Sequence, residues 1–446
     1  MQLHAGFTFD DAAGCAEYLG RLGVTHLYCS PCLQATAGST HGYDVVDHGR
    51  LSEELGGEPA HRRLTQTLKS HGLGQILDIV PNHMAIDGRA NRWWWDVLRN
   101  GRDSRYARFF DIDWTQHEHE VLAPVLGDHY GRVLEAGELR VEPDGDTFVA
   151  RYYDNEFPIA PGEVNPQALQ GDPDALDELL SRQHYRLAFW RIGDEELNYR
   201  RFFTIETLVG LRVEDEVVFA ATHQLILDLV SQGVIDGLRV DHIDGLVDPA
   251  GYLRRLRDAT GGIYVVVENI LEHGEQLPET WPVAGTTGYD FLNSVNGLFV
   301  DAGNETAMGA CYQDFTGQDI PFEEVAYAAK QQIMREELAA EVERVTDLLS
   351  GICERHRRHR DHTRRELRDA LREVIAAFRV YRPYVQPGHP VSEADRAQVA
   401  GAVARAGQRR PDLDTELLEF MGQLLVLAHP AETEFALRFG QLRTWA

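Results

Sequence analysis

Four short apolar runs, VTHLYCSP, QILDIVPNH, VIDGLRVDH and IYVVVEN, constrain the fold of this chain more than anything else in it. Stretches of helical character separate them: FDDAAGCAEYLGRLG before the first, then segments around HRRLTQTLKSHGLG, VVFAATHQLILDLVSQG and YLRRLRDATGG. Short apolar strands alternating with helices predict parallel βαβ units, and strands apolar on both faces belong to a barrel or a doubly wound sheet. Pro31 and Pro81 stop the first two strands. With 446 residues the chain is long enough for more than one structural unit.

Two regions depart from the rhythm. Within residues 105–190, ELRVEPDGDTFVARYY alternates around Pro143, Asp144 and Gly145, which predicts a β-hairpin inside a mostly irregular, antiparallel insertion. From residue 322 onward, Leu338, Val342, Val345, Leu349 and Ile352 share one helical face, as do Leu367, Leu371, Val374 and Phe378. The expected organisation is a first part of an α/β barrel at 1–104, an irregular β insertion at 105–190, a second barrel part at 191–321 and a helical subdomain at 322–446. About six parallel strands are expected, the last followed only by helices.

The formal net charge is −28, which excludes nucleic acid or an anionic membrane as the main partner, because both demand basic surface. It says little about a neutral ligand such as a sugar. No apolar run is long enough to span a membrane and no basic region precedes an apolar one at MQLHAGFTFDDA, so a cytoplasmic protein without a signal peptide is expected. Nothing in the sequence speaks to oligomeric state. Cysteine usage, five residues widely spread, gives no disulfide framework, and CSPC at Cys29 and Cys32 has no second ligand pair, so ordinary packing is expected there.

Polar groups gather where the apolar strands end. Asn82 and His83 follow DIVP; Arg239, Asp241 and His242 follow DGL; Glu268 and Asn269 follow YVVV; STHGYDVVDH adds His41, Tyr43 and Asp44. In parallel α/β folds functional groups collect at the carboxyl ends of the strands. Asp241 and Glu268 are 27 residues apart, one βαβ repeat, and so are expected on neighbouring strands. Two such carboxyls can flank one bond, one ionised as nucleophile and the other protonated as general acid. Arg239 shares a strand face with Asp241 and would keep it ionised, whereas Asp78 reads as a structural hydrogen-bonding residue.

Together these motifs resemble the α-amylase superfamily of glycoside hydrolases, through DIVPNH, GLRVDH and the glutamate that ends a strand. GSTHGYDVVDH, ELGGE, NRWWWDVL, EELNYRRFF and GTTGYDFLN narrow the resemblance to the maltooligosyl trehalose synthase family. It implies a (β/α)8 TIM-barrel fold, with Asp241 as nucleophile and Glu268 as general acid/base. It further implies Tyr43, Asp44, His83, Arg239 and His242 around the reacting glucose, Asp290 in substrate contact, and no metal or organic cofactor. The implied reaction is isomerisation of the reducing-end α-1,4 linkage of a maltooligosaccharide to α,α-1,1. The superfamily's third carboxylate, after the seventh strand, finds no match before RFGQLRTWA, so an incomplete barrel lacking its last two strands is expected. An α-1,4-glucan hydrolase and a chain that binds glucan without catalysis are the alternatives.

Other clusters read more plainly. Trp93–Trp95 suit sugar stacking and core packing equally. His356, His359 and His362 lie among five arginines, which argues for a solvated segment and against a metal site.

Overall fold

The computed structural model describes residues 1–117, 120–162, 169 and 171–446. Parts of the expected insertion, at 118–119, 163–168 and 170, lie outside the described residues. The chain divides into two compact units, Met1–His242 with Arg255–Val265, and Ile243–Arg254 with Val266–Ala446. The division falls inside the stretch that the sequence presents as one barrel half.

In the first unit, α1 (Phe9–Gly14) and α2 (Ala16–Leu22) precede β1 (His26–Cys29), so the single helix expected there is broken at Cys15. The antiparallel pair β2 (Leu33–Ala35) and β3 (Val45–Leu51) follows, then α3 (Gly57–Ser70), β4 (Gly74–Ile79), the short β5 (His83–Ala85) and α4 (Arg92–Asn100). Helix α3 buries Ala60, His61, Leu64, Thr65 and Leu68, one stripe of an amphipathic helix.

The insertion holds β6 (Val121–Leu126), α5 (Tyr130–Glu135), β7 (Leu139–Asp144), β8 (Thr147–Tyr152), β9 (Asn155–Pro158), α6 (Pro173–Leu180) and β10 (Tyr185–Phe189). The predicted hairpin is β7–β8, with Asp144 facing Thr147 and Gly145 at φ +57° in the turn. The antiparallel part of the insertion is β7–β8–β9, whereas β10 pairs with β6 in parallel. That pairing joins segments far apart in sequence, which no local pattern signals.

Next come α7 (Gly193–Glu196), β11 (Arg201–Phe202), β12 (Ile205–Gly210), α8 (Glu216–Ser231) and β13 (Gly237–Val240). Strand β12 runs antiparallel to β5, and the parallel order β1–β4–β13 forms the sheet that carries the site. The four apolar runs are all strands; the fourth, β14 (Tyr264–Val267), contains the division between units.

In the second unit, Val266 and Val267 pair in parallel with β15 (Gly285–Thr286). The helices Tyr289–Gly297 and Glu305–Thr316 bury no side chain, and Leu298, Phe299, Phe315 and Phe322 are exposed around them. The helices Ala339–Arg355, Arg364–Ala377, Glu393–Arg409, Thr415–Leu425 and Thr433–Arg443 surround one core. It includes Val342, Leu349, Leu371, Val374, Met421 and Phe439. Asp244 is the polar centre of this unit. It accepts from Asn269 Nδ2 (2.7 Å), Tyr384 Oη (2.6 Å) and the Ile270 amide (3.3 Å), while Arg382 donates to the carbonyls of Asp244 and Leu246. Burial pushes the Asp244 carboxyl up to about 6 against these hydrogen bonds.

The segment 356–362 is not wholly solvated. His359 is buried and stacks on Phe420 at 4.1 Å, because the turn after helix Ala339–Arg355 folds back onto helix Thr415–Leu425.

Candidate active site

The site in the first unit is built on register. Strand β13 pairs with β4 so that Arg239 stands directly opposite Asp78, and in a parallel pair such neighbours point to the same face. Arg239 Nη1 donates to Asp78 Oδ1 at 2.9 Å and Oδ2 at 3.1 Å. The same nitrogen donates to Asp241 Oδ1 at 2.7 Å. One cation thus serves two carboxylates, and all three side chains are at least nine-tenths buried.

Asp78 has two further donors, the hydroxyls of Tyr28 (2.6 Å) and Tyr43 (2.7 Å). Burial raises its pKa, and Arg239 and both phenols oppose that shift. Burial beside Asp78 also drives both tyrosines far above the usual phenol range, so they remain hydrogen-bond donors.

Tyr43 and Asp44 are held by the loop between β2 and β3. Asp44 accepts from Thr36 Oγ1 and Ser39 Oγ, both at 2.5 Å, with His41 Nδ1 at 3.8 Å. Gly42, at φ +84°, makes the bend: a Cβ there would lie 2.2 Å from the Pro31 carbonyl oxygen.

Behind β5, Arg200 donates to Asn82 Oδ1 (2.6 Å), Asp111 Oδ2 (2.9 Å) and the Leu211 carbonyl (2.7 Å). A Cβ on Gly210 would sit 2.4 Å from the Arg200 guanidinium carbon, which explains the glycine. His83 is buried beside this cluster. Burial and then the Arg200 charge push its imidazole down to about 3, so it is neutral. Its ring lies 4.5 Å from Phe202, which contacts His242 edge-on at 5.0 Å. His242 takes φ +44°, a left-handed conformation uncommon for a non-glycine residue, directly after Asp241.

Tyr43, Asp44, His83, Arg239, Asp241 and His242 therefore converge in one unit. Glu268 and Asp290 belong to the other. There Tyr289 Oη lies 3.4 Å from Glu268 Oε1, and Asp290 accepts from Thr286 Oγ1 at 2.7 Å. Sequence reasoning passed over Tyr28 and Arg200. A signal existed for Arg200, since EELNYRRFF sets two arginines in apolar surroundings and both are buried. The tryptophans divide between roles: Trp94 packs in the core on Phe110 and Tyr199, and Trp93 stacks between His48 and Tyr106. Cys29 and Cys32 are buried free thiols, and burial pushes Cys29 up to about 11.

A carboxylate fixed by a buried guanidinium, next to the neutral His83 imidazole and a phenol, suits covalent chemistry on a neutral polyhydroxyl substrate. Comparison with known proteins agrees on the class: the alpha-amylase catalytic domain matches residues 15–260, and the chain belongs to that family, whose fold class is the (β/α)8 barrel. Among curated proteins, the chain is 46% identical over 307 residues to a putative maltooligosyl trehalose synthase of Mycobacterium tuberculosis, covering 68% of this chain and 38% of that protein. Among solved structures, it is similar to maltooligosyltrehalose synthase from Arthrobacter ramosus (TM-score 0.87, 39% identity), covering 100% of this chain and 54% of that one. A hypothetical maltooligosyl trehalose synthase of Sulfolobus tokodaii is likewise similar (TM-score 0.74, 34% identity, 97% of this chain and 54% of that one). The chain thus spans 38% of the curated relative's length and 54% of these structures. Among the described residues, no helix is long and apolar enough to cross a membrane, and no group of His, Cys, Asp and Glu could hold a metal ion.

Proposed function

We propose that this chain carries the catalytic groups of an intramolecular glucosyl transferase that converts the reducing-end α-1,4 linkage of a maltooligosaccharide to α,α-1,1. The observation that carries the reading is the 2.7 Å contact between Arg239 and Asp241 at the end of β13. A buried cation at that distance favours the ionised carboxylate a nucleophile needs.

Asp241 attacks the anomeric carbon of the glucose next to the reducing end, and Glu268 gives its proton to the departing O4. The C1–O4 bond breaks and a glycosyl ester forms on Asp241. The released glucose then presents its own anomeric hydroxyl. Glu268 takes that proton back as the new C1–O1 bond displaces Asp241, so configuration is retained through two inversions. Tyr43, Asp44, His83, His242 and Asp290 are read as hydrogen-bonding and stacking contacts to the glucan. Catalysis by water in place of the glucose would give an ordinary glucan hydrolase. The expected setting is the cytoplasm.

The test is incubation of the chain with maltopentaose, followed by NMR. An α,α-1,1 anomeric signal that vanishes in Asp241→Asn supports the reading. New reducing ends without that signal would make the chain a hydrolase.

A further inference from the structure

One nitrogen of Arg239 is in more demand than it can meet. Its Nη1 lies 2.9 Å from Asp78 Oδ1, 3.1 Å from Asp78 Oδ2 and 2.7 Å from Asp241 Oδ1. A guanidinium Nη carries only two hydrogens, so three carboxylate oxygens compete for them. The longest of the three contacts is the one to Asp78 Oδ2.

That oxygen is served from another side. It accepts from the Tyr28 hydroxyl at 2.6 Å and from the Tyr43 hydroxyl at 2.7 Å. Both phenols keep their protons, because burial beside the Asp78 carboxylate pushes them far above the usual phenol range. With Oδ2 satisfied by two hydroxyls, one Nη1 hydrogen goes to Oδ1 and the other is left for Asp241. If a hydroxyl is lost, Oδ2 draws the guanidinium toward Asp78, since a buried carboxylate oxygen short of donors is destabilising.

The two tyrosines are not equivalent. Tyr43 stands on the loop between β2 and β3 and is read above as a contact to the glucan, so a change there touches two roles. Tyr28 stands on β1, opposite Ile76 of β4. Ile76 and Asp78 share a strand face, so the register sends Tyr28 to the same face as the carboxylate. We propose that Tyr28 is a positioning residue for the transfer: acting through Asp78, its hydroxyl leaves Arg239 a hydrogen with which to hold Asp241. This role rests on the transferase reading above, in which Asp241 attacks the anomeric carbon.

The test treats the whole chain with 5-fluoro-α-D-glucosyl fluoride. The Asp241 carboxylate forms a bond to C1, the C1–F bond breaks, and fluoride leaves with the electron pair. The ring fluorine slows breakdown of the ester, so labelling is followed by intact mass and placed by peptide mapping. Tyr28→Phe keeps the ring, should leave the urea midpoint near that of the parent, and should form the ester about tenfold more slowly. Its Kd for maltopentaose, measured by calorimetry, should not change. In an Asp78→Asn background the competing charge is gone, and Tyr28→Phe should alter the rate by less than about twofold. A labelling rate equal to the parent's overturns the role of Tyr28. So does a slowing matched by weaker maltopentaose binding, a slowing that persists in the Asp78→Asn background, or a collapsed urea midpoint. Each of these leaves the transferase reading standing, provided that the parent chain is labelled at Asp241. A parent chain that gains no label there overturns that reading, and the positioning role falls with it.

Discussion

Arg239 and Asp78 face each other in register across β13 and β4, joined at 2.9 and 3.1 Å, and Asp241 reaches the same nitrogen from two residues further along. Strand pairing thus fixes the position of the carboxylate proposed as nucleophile, which needs no loop to hold it. A site on paired strands is held more rigidly than one on a loop.

Arg239→Ala leaves Asp78 and Asp241 buried together without their cation. Removing one partner of a buried ion pair costs about 3–5 kcal/mol. The loss should depend on pH. With Arg239 gone, the Asp78 carboxyl, already raised by burial, loses the cation that opposes that shift and rises further above its unfolded value. Stability is then fully present below the unfolded pKa and lost as pH rises through the folded value. Urea denaturation at pH 5 and pH 8 checks this: the variant should be weaker at pH 8 by more than the parent chain is.

Gly42→Ala puts a side chain where φ is +84° and where a Cβ would meet the Pro31 carbonyl at 2.2 Å. The loop must move, and Tyr43 and Asp44 move with it. Left-handed strain costs about 1–2 kcal/mol, and misplacing substrate contacts by about 1 Å can cost about a hundredfold in rate. A fall in kcat/KM for maltopentaose much larger than the fall in stability is the expected outcome. A variant with normal kinetics would remove the loop from the site.

Much of this site was legible in the chain because its logic is local. Apolar runs bounded by proline and glycine mark β1, β4, β13 and β14, and a strand's alternation alone sets Arg239 and Asp241 on one face. What stayed hidden depends on pairings between distant segments. The Tyr28 and Tyr43 contacts with Asp78 span 50 and 35 residues, and that of Arg200 with Asn82 spans 118. Asp78 is the hydrogen-bonding residue its strand position suggests, but the identity of its partners Tyr28, Tyr43 and Arg239 cannot be seen from its own strand. The parallel β6–β10 pair and the burial of His359 were missed for the same reason. The knot around Asp244 draws Tyr384 from 140 residues away, beyond any local pattern.

Arg200→Lys tests the support behind β5. A lysine keeps the charge but cannot span Asn82, Asp111 and the Leu211 carbonyl at once, since it lacks the planar fork. Losing these charge-assisted bonds should cost about 1.5–3 kcal/mol of stability. Asn82 and His83 lose their anchor, so KM for maltooligosaccharides should rise. A stability loss with unchanged KM would show that Arg200 supports the fold and not the site.

The pKa of Asp244 predicts a pH effect in the second unit. Its folded value of about 6 lies above the ordinary 3.8, because burial outweighs its hydrogen bonds. A raised carboxyl contributes stability that is present below its unfolded pKa and lost as pH climbs through about 6. The gap corresponds to about 3 kcal/mol between acid and neutral conditions. Asp244→Asn removes the titration. Its oxygen can still accept from Tyr384 and Asn269, while its amide nitrogen faces the Ile270 N–H and gains nothing there. The parent chain should therefore weaken between pH 4 and pH 7 by an amount that the variant lacks. Parallel denaturation curves for both proteins across that interval would exclude Asp244 as the source.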